Sequence, residues 1–250
     1  MPTAFVHEAV SAVSPVPVFK VPHAVDFAVD PRWSRESFGI PANRFVVLVM
    51  YDFDSYRFRK NPEAAIAAFK RAARGRSDMT LVIKTINASK YGDDYAALKA
   101  DVAELESVVF LDEVFSRDQI YGLEANCDCM LSLHRAEGFG FGPAEMMYLG
   151  KPVIATGWSG NMEFMTPENS FPVAYELKPL ARPLGAYAAG LDWAEPDVEH
   201  AAACLRRVVE DQALARDIGR RARQTMLTRF SPEAIGKQYL ERLAWISMQL

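Results

Sequence analysis

The feature that most restricts the fold is a set of short apolar runs, rich in Val, Ile and Leu, that recur between helical stretches. Phe45–Met50 (FVVLVM), Met79–Lys84 (MTLVIK), Ser107–Leu111 (SVVFL), Cys127–Leu133 (CDCMLSL) and Pro152–Thr156 (PVIAT) are largely apolar rather than alternating. A strand with no polar face is covered on both sides, and strands joined through helices pair in parallel. The intervening segments carry helix signals. Asn61 offers an N-cap, Pro62 a first helical position and Glu63 an early acid, with Ile66, Phe69 and Ala73 at helical spacing before Gly75. Ser116 and Gln119 predict a capping box that opens a helix toward Leu123.

From Pro196 the pattern is helical. Asp197 and Glu199 precede a stripe of Ala203, Leu205 and Val209, and Ser231–Pro232 opens a last helix to Leu250. The Pro-, Gly- and aromatic-rich stretch Ser159–Glu195 predicts loops and a short strand near Phe171–Ala174. The expected architecture is an α/β fold, an open parallel sheet with helices on both faces and a helical C-terminal tail.

Composition removes several function classes. The 250 residues hold 28 Lys+Arg against 32 Asp+Glu, so no basic excess favours a nucleic-acid partner. No apolar run is long enough for a transmembrane segment, and MPTAFVHEAV has no basic n-region or apolar h-region of a secretory signal. Three cysteines, an odd number, point away from a disulfide framework and toward a reducing, cytoplasmic setting. With four histidines and no H-x-x-x-H pair, no metal site is expected. Alternation places Cys127 and Cys129 on one sheet face.

Open parallel sheets bind ligands beyond the C-terminal ends of their strands. Asp52–Asn61, Asp112–Ser116, His134–Gly142 and Gly157–Met162 fall there. The richest segment is Leu133–Ile154, LHRAEGFGFGPAEMMYLGKPVI, in which Gly138, Gly140 and Gly142 precede a helix expected from Pro143 to Gly150. Glycines let backbone N–H groups approach a ligand, and a helix start favours a phosphate. Glu137 and Glu145 bracket this turn. Carboxylates repel phosphate but accept hydrogen bonds from hydroxyls, so a ligand with both groups fits, and a sugar nucleotide is one.

The run EGFGFGPAEMMYLGKPVIAT, with Glu137 and Glu145 at E-x7-E spacing, resembles the signature of retaining glycosyltransferases of family 4, which have the GT-B fold. Gly160-Asn161-Met162-Glu163 resembles the Gly-x-x-Glu that follows the next strand, and Val21-Pro22-His23-Ala24-Val25-Asp26 resembles the entry into the C-terminal, Rossmann-like domain. The resemblance implies that Glu137 binds the transferred sugar, that the turn at Gly138, Phe139, Gly140 and Phe141 lies against sugar and diphosphate, and that Glu145 accepts ribose hydroxyls. Lys60 matches the basic residue at the leaving diphosphate, and Leu111–Phe115 would flank the base. His134, Gly160 and Asn161 are expected beside the donor. Two departures stand out. Tyr51-Asp52 replaces the family's Gly-Arg, leaving Arg57 or Arg59 to supply a second charge, and His134 replaces a common Ser.

The resemblance further implies an interdomain entry at residues 1–40, a nucleotide-sugar-binding domain at 41–230 and a helix, 231–250, leaning toward an N-terminal GT-B domain that binds the acceptor. It implies a nucleotide-sugar donor, no cofactor, no metal, and possible membrane association only through that other domain. Polysaccharide assembly is a family-level expectation. Other readings of the same residues stay open. Glu145 could serve the helix dipole, although Gly142 lacks the hydroxyl of a capping box. Glu137 and Lys60 could be solvated surface charges, and His134 a structural histidine. A GT-B sugar-nucleotide epimerase or a non-enzymatic receiver-type module, with Asp52 as its phosphorylated acid, are the rival functions.

Overall fold

A computed structural model describes residues 1–249; the expected helix end at Leu250 lies outside the described residues. Six parallel strands form one sheet: β1 (Phe45–Asp52), β2 (Met79–Ile86), β3 (Val108–Asp112), β4 (Cys129–Ser132), β5 (Val153–Thr156) and β6 (Phe171–Val173). Their spatial order is β3-β2-β1-β4-β5-β6. The chain runs outward from β1 through β2 to β3, then returns to the other side of β1 at β4, which makes the β1/β4 boundary the topological switch point. β1 and β2 are paired over their whole length, from Phe45 opposite Met79 to Asp52 opposite Ile86.

The helices are α1 (Ala4–Ser11), α2 (Arg57–Lys60), α3 (Pro62–Ala72), α4 (Gly92–Asp101), α5 (Arg117–Asn126), α6 (Phe141–Tyr148), α7 (Val198–Glu210), α8 (Gln212–Arg229) and α9 (Pro232–Ser247). An antiparallel hairpin, β7 (Tyr175–Pro179) with β8 (Asp192–Pro196), stands outside the main sheet. Both sheet faces are covered, as the apolar strands demanded. Val47, Val49, Leu81 and Ile83 pack with α3 and α7 residues, whereas Val46, Leu48 and Val82 pack with α6 and α8 residues.

Local signals were realised unevenly. Ser116 and Gln119 form the full capping box of α5, and Asp197 caps α7 by accepting from the His200 N–H at 2.9 Å. Asn61 does not cap α3. It adopts φ 51°, ψ 53° and forms the left-handed corner between α2 and α3, a conformation Asn tolerates better than most residues. In α7 the core side is Ala201, Ala202, Leu205, Val208 and Val209, and Ala203 faces out. Cys127 and Cys129 lie in opposite cores, because Cys127 ends α5 before the strand pleat begins. Burial raises both thiols far above the ordinary cysteine range.

Candidate functional site

Two short segments at the C-terminal ends of β1 and β4 build the site. After β1 the chain makes a single turn of helix, α2, bracketed by two left-handed residues, Tyr56 at φ 60° and Asn61 at φ 51°. That turn sends its basic residues in different directions. Arg57 pairs with Glu63 and with Asp94, the latter at 2.5 Å, away from the sheet end. Arg59 and Lys60 converge on Glu137. Lys60 Nζ donates to Glu137 Oε1, and Arg59 Nη1 lies 3.4 Å from the same oxygen while donating to the Ala136 carbonyl at 2.9 Å. Of the two arginines, it is Arg59 that stands beside Lys60 and Glu137. Burial pushes the Glu137 carboxyl up, but Lys60 and Arg59 outweigh it and hold it below the usual carboxylate range.

After β4 the turn from Leu133 to Gly140 feeds α6. The helix begins at Phe141 rather than Pro143, with Gly140 as N-cap at φ 91°. A proline is acceptable there because the first N–H groups of a helix have no intrahelical acceptor. The earlier start places Glu145 beyond the first turn, which removes the simple helix-dipole reading. Gly160 locks the turn from the neighbouring loop. Its N–H donates to the Glu137 carbonyl at 2.9 Å, and a Cβ on it would lie 2.2 Å from the Gly138 oxygen. Ser159, strained at φ 78°, accepts from the Glu137 N–H at 2.8 Å.

Beneath the turn, His134 and Asn161 are fully buried. Asn161 Nδ2 donates to the Thr156 carbonyl at 2.9 Å, so its Oδ1 accepts from His134 Nε2–H, also at 2.9 Å. His134 Nδ1 is left to accept from the Ser132 hydroxyl at 3.1 Å. Burial lowers the His134 titration, consistent with this single neutral tautomer. These residues support the turn from below and do not line the open cavity.

That cavity, about 550 Å³, is lined by Arg59, Lys60, Lys84, Glu137, Gly140 and Phe141, among others. Lys84 gave no signal in the sequence beyond ending an apolar strand. Its ammonium is buried, donates to the Thr85 and Glu113 carbonyls at 2.7 and 2.6 Å, and lies 4.6 Å from the Phe115 ring centre. It ties the end of β2 to the turn after β3. Burial lowers its titration below that of an ordinary lysine.

Glu145 faces a second cavity, about 370 Å³, shared with Asp26, Phe27, Arg117 and Tyr121. Phe141 lines both cavities, so the two glutamates flank its ring rather than one open loop. Arg117 donates to Glu145 Oε1. Behind that pair lies Glu124, wholly buried on α5 and invisible to motif reasoning. Burial and the neighbouring Glu145 raise Glu124 well above the carboxylate range; burial also raises Glu145, partly offset by Arg117.

The N-terminal segment closes one side. Thr3 Oγ1 donates to the Gly138 carbonyl at 2.9 Å, and the Ala4 N–H donates to Glu163 Oε2 at 2.8 Å. Asp52, the receiver-type candidate, is engaged by the Asp54 N–H and by Asn87 Nδ2 at 2.7 Å. Among the described residues, no group of three or more His, Cys, Asp or Glu side chains converges as a metal centre requires.

Residues 32–225 match the family model of glycosyl transferases group 1. The chain belongs to this family. No curated protein sequence matches it. Among solved structures, sucrose-phosphate synthase from Thermosynechococcus elongatus superposes with a TM-score of 0.75 at 18% identity, covering 100% of this chain and 58% of that one. HepE from Anabaena, solved in complex with UDP and glucose, gives 0.69 at 22% identity, covering 90% and 56%. The C-terminal domain of the group 1 protein LpcC from Francisella tularensis gives 0.62 at 16% identity, covering 82% and 96%. The fold is that of a GT-B glycosyltransferase C-terminal domain, and the chain spans 58% and 56% of the first two relatives. No described helix is long and apolar enough to cross a membrane.

Proposed function

We propose that this chain is the donor-binding half of a retaining, metal-independent glycosyltransferase that takes its sugar from a nucleoside diphosphate. The observation that carries the reading is the convergence of Lys60 and Arg59 on Glu137, beside the Gly138–Gly140 turn at the sheet's switch point. Without ligand, two cations share one carboxylate. An arriving diphosphate competes for both, and its release of Glu137 leaves an acceptor for sugar hydroxyls.

Transfer breaks the bond between the anomeric carbon and the diphosphate oxygen. Negative charge grows on the leaving group, where Lys60, Arg59 and the amides at the start of α6 stabilise it. The acceptor oxygen bonds to the same face of the sugar, and its proton passes to the departing phosphate. Glu137 orients the sugar, Glu145 holds the ribose, and the turn after β3 flanks the base. His134, Gly160 and Asn161 keep the turn in shape. The acceptor would bind on an N-terminal GT-B domain, with the enzyme acting in the cytoplasm, so this polypeptide alone would transfer a hexosyl group poorly.

UDP-glucose is the first donor to test, because the HepE relative binds UDP and glucose. A thermal-shift panel of UDP-, GDP- and ADP-sugars, with and without magnesium, should raise the midpoint for at least one donor in wild type. The shift should not require magnesium and should disappear in Lys60→Ala and Glu137→Gln. Equal shifts in wild type and both variants would overturn the assignment of the site.

A further inference from the structure

Glu124 is a buried acid without an ordinary partner. Its relative exposure is zero, and neither carboxyl oxygen receives a hydrogen bond from a backbone N–H, hydroxyl or cation. A buried carboxylate left so is costly, whereas a neutral carboxyl needs only an acceptor for its one proton. The group that neighbours it is the Glu145 carboxyl, itself buried, on α6 where that helix packs against α5. The surroundings supply no alternative. Arg117 reaches Glu145 from the exposed side, Tyr121 meets Arg117 Nε with its hydroxyl at 3.3 Å, and the Cys127 thiol is buried and neutral.

We propose that Glu124 is a positioning residue that holds a shared proton on the buried side of Glu145, fixing that carboxylate so that its outer edge accepts the ribose hydroxyls of the donor. The inference rests on the donor-site reading above and adds a residue to it. Two adjacent carboxyl groups with one proton carry a single charge, which matches the single cation, Arg117. Glu145 thereby stays an ionised acceptor inside an apolar wall without a second cation. At alkaline pH the shared proton leaves, and two buried charges then face each other with Arg117 alone between them and solvent.

The test measures UDP affinity by calorimetry across about pH 6 to 9 for wild type, Glu124→Gln and Glu124→Leu, where ionisation of the pair should appear as a slope. The amide can still donate to Glu145, so Glu124→Gln should bind within about threefold of wild type near neutrality, whereas Glu124→Leu, which cannot, should bind roughly tenfold more weakly. Wild type should lose affinity at the alkaline end, and Glu124→Gln, with no proton to lose, should not. UDP carrying a 2′,3′-dideoxyribose should cost wild type more affinity than it costs Glu124→Leu.

An identical alkaline limb in Glu124→Gln, or equal affinity of all three proteins for UDP, would overturn the role. Should Glu124→Leu fail to fold, the pH profile of Glu124→Gln decides alone. Failure of wild type to bind any nucleoside diphosphate would sink the donor site and Glu124's part in it together; normal binding with unchanged variants would sink only the latter.

Discussion

Gly160 lies so close to Gly138 that any side chain at 160 would collide with the Gly138 carbonyl, at 2.2 Å from a Cβ. The contact is backbone against backbone, so no rotamer relieves it. Gly160→Ala should destabilise the protein by about 1–3 kcal/mol, the ordinary range for overpacking. It should also weaken nucleotide binding by displacing the Glu137 turn. Chemical denaturation and calorimetry check both effects, and an unchanged midpoint with full affinity would contradict the interlock.

Glu137, in the cavity wall, and Glu124, buried behind Glu145, should respond to pH in opposite senses. Glu137 titrates below its unfolded value, so its contribution is present above that value and is lost as pH falls through the folded one. Wild type should therefore exceed Glu137→Gln in stability near neutrality, with the gap closing in acid. Glu124 titrates above its unfolded value, so the native state holds a proton that the unfolded chain releases as pH rises. Glu124→Gln should match wild type in acid and become the more stable protein toward neutral pH. Thermal melts across the acid range read both slopes.

Lys84 joins β2 to the turn after β3 through two carbonyls, and methionine can replace its length but not its donors. Lys84→Met should cost about 1–3 kcal/mol, because the Thr85 and Glu113 carbonyls lose their donor. Amide exchange at Glu113–Phe115 should accelerate more than exchange in α8. Uniform acceleration, or none, would show that the lysine does not pin that turn.

The last helix buries little of itself. Ile235 is its buried residue, while Leu240, Leu243 and Trp245 are exposed. Replacing Leu240 and Leu243 by Glu should change stability by no more than about 0.5 kcal/mol, as for a surface site. Chemical denaturation of the double variant checks this. A loss of fold would mean that this face packs on the chain itself.

Legibility followed the range of the interactions. The strands could be read because a doubly covered strand must be apolar along its length, and the α5 cap because its partners are three residues apart. Helix α4 escaped because it buries only Leu98 and carries almost no apolar stripe. The β7–β8 hairpin escaped because β7 is exposed throughout, so the alternation of Tyr175 and Leu177 with Glu176 and Lys178 spans only five residues and marks no buried face. Helix α1 was hidden inside the expected entry segment, since none of its residues is buried.

At the site, the glycine turn and the E-x7-E spacing lie within one short stretch, and the sequence alone determined them together with the parallel sheet that presents them. Only the tertiary structure decided which arginine joins Lys60 at Glu137, that Lys84 lies in the cavity wall, and that Glu124 backs Glu145. Periodicity and capping are local consequences of the backbone, written in adjacent residues. The pairing of charges depends instead on which strand ends the β1/β4 crossover brings together, and Lys60 meets Glu137 across 77 positions of chain.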